Sequence, residues 1–175
     1  MSISKIGSPV MLRGRSINDR NDVVALLQAE LEADYHVARE RARMLAEHTF
    51  DTCHRGADKE IPGTSRRFHH LFIAEKDGVF AGCIHLTIYD RRELPTIHSL
   101  LSVQPDAEDV WRKLFEHAET FAHSFDCHEL GAMVSTENSA MVTFYQRKGF
   151  RTIGVIERYH ETAAHRAVLQ KKFAM

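Results

Sequence analysis

Two β-rich runs, Leu71 to Glu75 and Val79 to Tyr89, flank Lys76-Asp77-Gly78, and this pattern constrains the fold more than any other stretch of the chain. Asp-Gly supplies the left-handed backbone of a tight antiparallel turn, and the runs on either side carry the β-branched and aromatic residues of strands. A hairpin in mid-chain rules out an all-helical domain and a purely parallel sheet.

Around it, helical and strand periods alternate. Val10 to Ile17 sets Met11, Arg13, Arg15 and Ile17 against Leu12, Gly14 and Ser16, a short strand with a basic side. Asn18-Asp19 and Asn21-Asp22 offer helix caps, and Val23, Leu26, Leu27, Leu31 and Tyr35 form an apolar stripe. A second helical stretch through Ala38, Ala42 and Leu45 fits two helices or one kinked helix equally well. From Thr49 to His70 the period stops, and Gly56, Pro62-Gly63-Thr64-Ser65 and Arg66-Arg67 read as a long connection. Pro95 ends a polar loop, and Thr96 to Val103 is an apolar strand stopped by Pro105. Val110, Leu114, Ala118, Phe121 and Phe125, with Trp111, Phe115 and Ala122 beside them, set out an amphipathic helix. Leu130 to Ser135 is a short buried strand, and Arg151 to Tyr159 and Arg166 to Phe173 are the last two. The expected order is β-α-α-β-β-β-α-β-α-β-β, an α/β domain on a mixed sheet.

The 175 residues, 43% of them hydrophobic, suffice for one domain over residues 1–175 with a core from about 10 to 173. A net charge of −1 argues against a general attraction to nucleic acid or anionic lipid. The chain carries no apolar run that spans a bilayer, and Met1-Ser2-Ile3-Ser4-Lys5 lacks the apolar centre of a secretory signal, so a cytoplasmic protein is expected. Cys53, Cys83 and Cys127 are odd in number with no CxxC pair, which points to reduced thiols. The 12 histidines call for a metal test. His160-Glu161-Thr162-Ala163-Ala164-His165 has one residue too many for HExxH, and His69-His70 on a strand point to opposite faces, so no metal is expected.

The stretch from Asn138 to Phe150 carries the functional signal. Asn138 caps a helix, Met141, Phe144 and Tyr145 share one face, and Lys148-Gly149 closes it with a cation and a left-handed residue. With Asn138, Tyr145 and Gly149-Phe150 in these places, the chain resembles the GNAT superfamily of acyl-CoA-dependent N-acetyltransferases, and the order of elements from about residue 10 to 173 agrees. The resemblance implies that the strands at Thr96–Val103 and Leu130–Ser135 splay apart and that the pantetheine of acetyl-CoA lies in the gap.

The site residues follow from that resemblance. Tyr145 stands where the family's tyrosine approaches the coenzyme sulfur, and a phenol suits proton donation because its pKa lies near that of a thiol. A core tyrosine sealing the helix is the alternative. Main-chain groups near Leu101 and Val103 are expected to pair with pantetheine and polarise the thioester carbonyl, and Asn138 borders the coenzyme while capping its helix. For the general base, His98 is preferred over His85, Glu75 and Glu137 because imidazole titrates near neutrality and its strand borders the acceptor site. The family's glycine-rich diphosphate loop is absent. Between Val103 and Leu114 stand Pro105, Asp106, Glu108 and Asp109 instead, which leaves Arg112, Lys113, Arg147 and Lys148 as candidate phosphate partners.

Two functions stay open at this level. One is transfer of an acetyl group from acetyl-CoA to a primary amine of a small molecule or peptide by direct attack. The acceptor would enter between the N-terminal helices, the Thr49–His70 connection and the Tyr159–His165 turn. The other is a binding or regulatory module that has lost or exchanged the coenzyme. An edge strand near the C-terminus can pair between two subunits of a homodimer or stay free.

Overall fold

The computed structural model describes residues 9–56, 66–89, 94–104, 107–158 and 162–173. Seven strands, β1 (Val10–Gly14), β2 (Arg67–Lys76), β3 (Val79–Tyr89), β4 (Thr96–Ser102), β5 (Glu129–Ser135), β6 (Arg151–Ile156) and β7 (Arg166–Lys172), make one sheet in the order β1-β2-β3-β4-β5-β7-β6. Four helices flank it, α1 (Arg20–Tyr35), α2 (Arg39–Arg55), α3 (Glu108–His123) and α4 (Ser139–Arg147). β4 and β5 run parallel, and the other ladders among the described residues are antiparallel.

The hairpin turn is built as its residues require, with Asp77 at φ 56° and Gly78 at φ 74°, the two left-handed positions of a type I′ turn. Before α1 the sequence expectation needs correction. Ser16 caps a short 3-10 turn, Ile17–Asp19, and the Asp19 carboxylate accepts from the Ser16 N–H at 2.6 Å, a reciprocal capping box. Asp19 is thereby taken up and makes no side-chain cap to α1. Arg13 closes the arrangement by donating to Asp19 at 2.6 Å and to Glu75 at 2.7 Å, which ties β1 to β2 and to the start of α1.

His36, left-handed at φ 54°, ends α1, so the two helical stretches are separate helices. The second runs to Arg55 and stops at Gly56, φ 82°, well past the expected end at Thr49. Its buried stripe is Ala42, Ala46, Phe50 and Cys53, and small residues at three of the four positions kept the period faint in the sequence. Residues 57–65 of the expected connection lie outside the described residues, as do Pro105 and Asp106 and residues 159–161.

Each face of the sheet carries its own core. α3 and α4 pack on one face through Leu114, Phe115, Phe144, Tyr145 and Phe150. α1 and α2 cover the other through Val23, Leu27, Tyr35, Phe50, Ile73 and Cys83. Phe125 falls beyond the end of α3 and is 51% exposed, although it still touches Phe121. His69 and His70 take opposite faces, His69 beside His85 and His70 edge-on against Phe121. Every residue of β6 is exposed, with Ile153 and Val155 on the open edge of the sheet.

Candidate active site

β4 and β5 pair only at Thr96–Gly131 and Ile97–Ala132, although β4 continues to Ser102 and β5 to Ser135. Beyond Ile97 the two strands part. The register with β3 slips at the same place, where Leu86 faces Ile97 and His85 faces Ser99, so His98 is the extra residue of a bulge at the apex of the gap.

Past the bulge, alternation decides which main-chain groups face the gap. The Val103 N–H donates to the Ala81 carbonyl at 2.9 Å. The Leu101 carbonyl points at Gly82, whose Cβ, if it had one, would stand 2.3 Å away. Both residues named from the sequence therefore turn their main chain toward β3, and the groups of Leu100 and Ser102 between them face the gap. The main-chain edge that faces the gap is thus offset by one residue from Leu101 and Val103, an offset set by the bulge at His98.

Tyr145 packs on the α3 and α4 face of the sheet, in one core with Ile97 and Leu100 of β4 and Ala132 of β5. It is 1% exposed, with its ring edge-on to Phe115, Phe144 and Phe150. Its packing is that of a core tyrosine, yet its phenol senses charges across the sheet. Burial first, then Glu30, raises its pKa above the ordinary phenol value, while Arg166 pulls the other way. Glu30 belongs to α1 and Arg166 to β7.

A polar cluster fills the apex. Ser99 Oγ donates to Glu30 Oε2 at 3.0 Å, and Arg166 Nη2 donates to the His98 carbonyl at 2.9 Å while its guanidinium lies 5.1 Å over the Tyr35 ring. Burial pushes the Glu30 carboxyl up to about 7, opposed by Arg166 and Ser99 and assisted by Asp34. Asn138 stands at the start of α4, shortly after the end of β5. Its Oδ1 accepts from the Met141 N–H at 3.0 Å and its Nδ2 donates to Asp34 at 2.7 Å, so the N-cap of α4 is also a tie to α1. Ser135 reinforces that tie through the Asp34 carbonyl at 2.7 Å.

Other expected residues fare differently. His98 reaches the apex, but burial and then Arg166 push its imidazole down to about 3, so it is neutral and a poor proton acceptor at neutral pH. Burial and then His98 hold the His85 imidazole well below its ordinary value, and it shares a 3.2 Å contact with His69. Glu75 is held by Arg13, and Glu137 faces His36 at 2.8 Å in an exposed pair. Arg112 faces Glu116 at 3.8 Å on the outer side of α3, Lys113 is exposed, and the Lys148 ammonium stands 5.7 Å over the Phe144 ring. None of these three cations lines the cleft between α3 and α4. That cleft, about 370 Å³, is bordered by Glu108, Trp111, Ser139, Ala140, Phe144 and Arg147.

Small Ser139 and Ala140 face the rings of Trp111 and Phe144 there, with Glu108 and Arg147 as its charged members, and the buried Trp111 Nε1–H has no hydrogen-bond partner among the described residues. Of the acids at the start of α3, Asp109 is paired: its carboxylate accepts from Lys76 Nζ at 2.9 Å, which holds that carboxyl below its usual range. Among the described residues no group of three or more His, Cys, Asp or Glu could hold a metal ion, and no helix is long and apolar enough to cross a membrane.

Residues 25–150 match the profile of the Acetyltransferase (GNAT) family. The chain belongs to this family. No curated protein matches the sequence of this GNAT acetyltransferase. Its fold is shared with Ard1 from Thermoplasma volcanium at 15% identity and a TM-score of 0.69, over 95% of this chain and 99% of that one. It is similar as well to the PaiA N-acetyltransferase from Thermoplasma acidophilum, solved in complex with coenzyme A, at 16% identity and a TM-score of 0.66, over 94% and 99%. A GNAT family acetyltransferase from Elizabethkingia anophelis, solved with acetyl-CoA bound, gives 14% identity and a TM-score of 0.65, over 94% and 98%.

Glu30 escaped the sequence reading of this GNAT chain. The signal was there, since a carboxylate stands three residues after Leu27 and four after Leu26, inside the apolar stripe of an amphipathic helix.

Proposed function

We propose that the chain transfers an acetyl group from acetyl-CoA to a primary amine of a small molecule or peptide by direct attack. The observation that carries this reading is the parting of β4 from β5 after two paired positions, with Tyr145 packed in the same core as Ile97, Leu100 and Ala132 of those strands. An unpaired strand edge offers alternating N–H and C=O groups to an extended amide chain, as a neighbouring strand would. Leu100 and Ser102 supply those groups, and an N–H there polarises the thioester carbonyl. Tyr145 donates its proton to sulfur as the C–S bond breaks. Trp111 and Arg147 serve the outer part of the coenzyme in place of a glycine-rich loop. The free thiols of Cys53, Cys83 and Cys127 fit a reducing cytoplasm, and the open β6 edge gives a second copy of the chain a strand to extend.

The test is thermal. A ligand that binds only the native state raises its stability, by roughly 2.7 kcal/mol at 100 times Kd. Acetyl-CoA at millimolar concentration should therefore raise Tm by about 5–10 °C for a chain of this length. No shift would favour a non-catalytic module over a transferase.

A further inference from the structure

Direct attack needs two proton positions, one at sulfur and one at the amine nitrogen. Tyr145 serves the first. For the second, the Glu30 carboxylate stands beside β4 where it parts from β5. Glu30 projects from α1 to Ser99, the residue immediately after the bulge, and accepts its hydroxyl at 3.0 Å. The groups facing it come from every element packed at the apex. Arg166 of β7 and Ser99 of β4 favour its ionised form, Asp34 of α1 opposes it, and Tyr145 of α4 and Tyr35 of α1 share the same field. The adjacent imidazoles, His98 and His85, are neutral.

We propose that Glu30 is the general base of the transfer, taking the proton that the amine sheds, and that it works as a pair with Tyr145 across the gap. The proposal rests on the acetyltransferase reading and adds the proton path to it. The amine lone pair forms the C–N bond to the acetyl carbon, the C–S bond breaks with its electrons on sulfur, Glu30 receives the N–H proton and Tyr145 gives its O–H proton to sulfur. Glu30 then returns its proton to the phenolate, and both residues are restored.

Two observations favour this pair over the histidines. A carboxyl pushed up to about 7 is matched to proton transfer at neutral pH, whereas an imidazole at about 3 holds a proton too weakly. The coupling also has the right sign. Ionised Glu30 is the neighbour that most opposes loss of the Tyr145 proton, so its neutralisation by the amine proton makes the phenol a better acid when sulfur needs one.

The experiment compares the full chain with Glu30→Gln, which keeps an oxygen for Ser99. Acetyl-CoA is the donor, and 1,4-diaminobutane and an alanine-led tripeptide are the acceptors. Glu30→Gln should lower kcat about 100-fold, the usual scale for loss of a general base. The limb of kcat/KM that rises through pH 7 should vanish, leaving only the limb of the amine itself, while the Tm shift with acetyl-CoA is kept. Stability gives an independent reading. A carboxyl raised in the fold makes stability fall as pH rises from about 4.5 to 7, so the variant should match wild type at pH 5 and exceed its Tm at pH 8. Wild-type turnover and an unchanged limb near pH 7 in the variant would overturn the proposal. If the wild-type protein neither shifts with acetyl-CoA nor transfers to either amine, the parent reading fails, and this one with it.

Discussion

Tyr145→Phe should lower the turnover of acetyl transfer by roughly tenfold or more, the lower range for loss of a proton donor, and leave acetyl-CoA affinity nearly unchanged. The asymmetry follows from where the residue sits. Its ring is locked among Phe115, Phe144 and Phe150, and phenylalanine occupies the same volume with the same edge-on contacts. What is lost is one hydroxyl beside the charges of Glu30 and Arg166, which in the proposed transfer gives its proton to the departing sulfur. A group used only as the C–S bond breaks shows in kcat and not in binding. Steady-state kinetics beside a coenzyme titration measure both, and unaltered turnover would return Tyr145 to the core.

Gly82→Ala should cost roughly 2–4 kcal/mol of stability, among the larger effects of a single added methyl. The cause is space. A Cβ there would stand 2.3 Å from the Leu101 carbonyl oxygen, 3.0 Å from the Ser102 Cα and 3.1 Å from a Val110 methyl, so β4 and α3 block it together. Two of these contacts are backbone, and relief requires β4 to move away from β3. Past Ile97, β3 is the strand that holds β4, so the same displacement would disturb the edge presented by Leu100 and Ser102. The variant should lose much of the acetyl-CoA thermal shift along with about 10 °C of Tm. Gly154→Ala is the control, since no atom lies within 4 Å of its added Cβ, and it should fall within about 0.5 kcal/mol of wild type.

Periodic and turn signals in the sequence carried most of the architecture. Asp77-Gly78 specified the hairpin, Asn138 and Gly149 bounded α4, and the stripe at Val110, Leu114 and Ala118 placed α3. Signals failed where burial rests on small residues, as along α2, and where one polar residue does two jobs, as Asp19 does for Ser16 and Arg13. Of the candidate site, the helix that carries Tyr145 and its Asn138 cap was legible, because a cap and an apolar face at fixed spacing are local facts. The geometry of the site was not legible. A bulge of one residue on β4 exchanged Leu101 and Val103 for Leu100 and Ser102. The long-range approach of α1 brought in Glu30 and made His98 a weak base by burying it beside Arg166. Surface cations drew attention for their charge alone, and Arg112, Lys113 and Lys148 face solvent, an acid or an aromatic ring instead of the cleft.

A crystal structure of the protein with acetyl-CoA tests the central claim most directly. The account predicts pantetheine amides hydrogen-bonded to the main chain of Leu100 and Ser102, and the thioester sulfur within hydrogen-bond distance of the Tyr145 hydroxyl. Coenzyme bound elsewhere, or a gap filled by the protein's own side chains while the sulfur lies far from Tyr145, would contradict it.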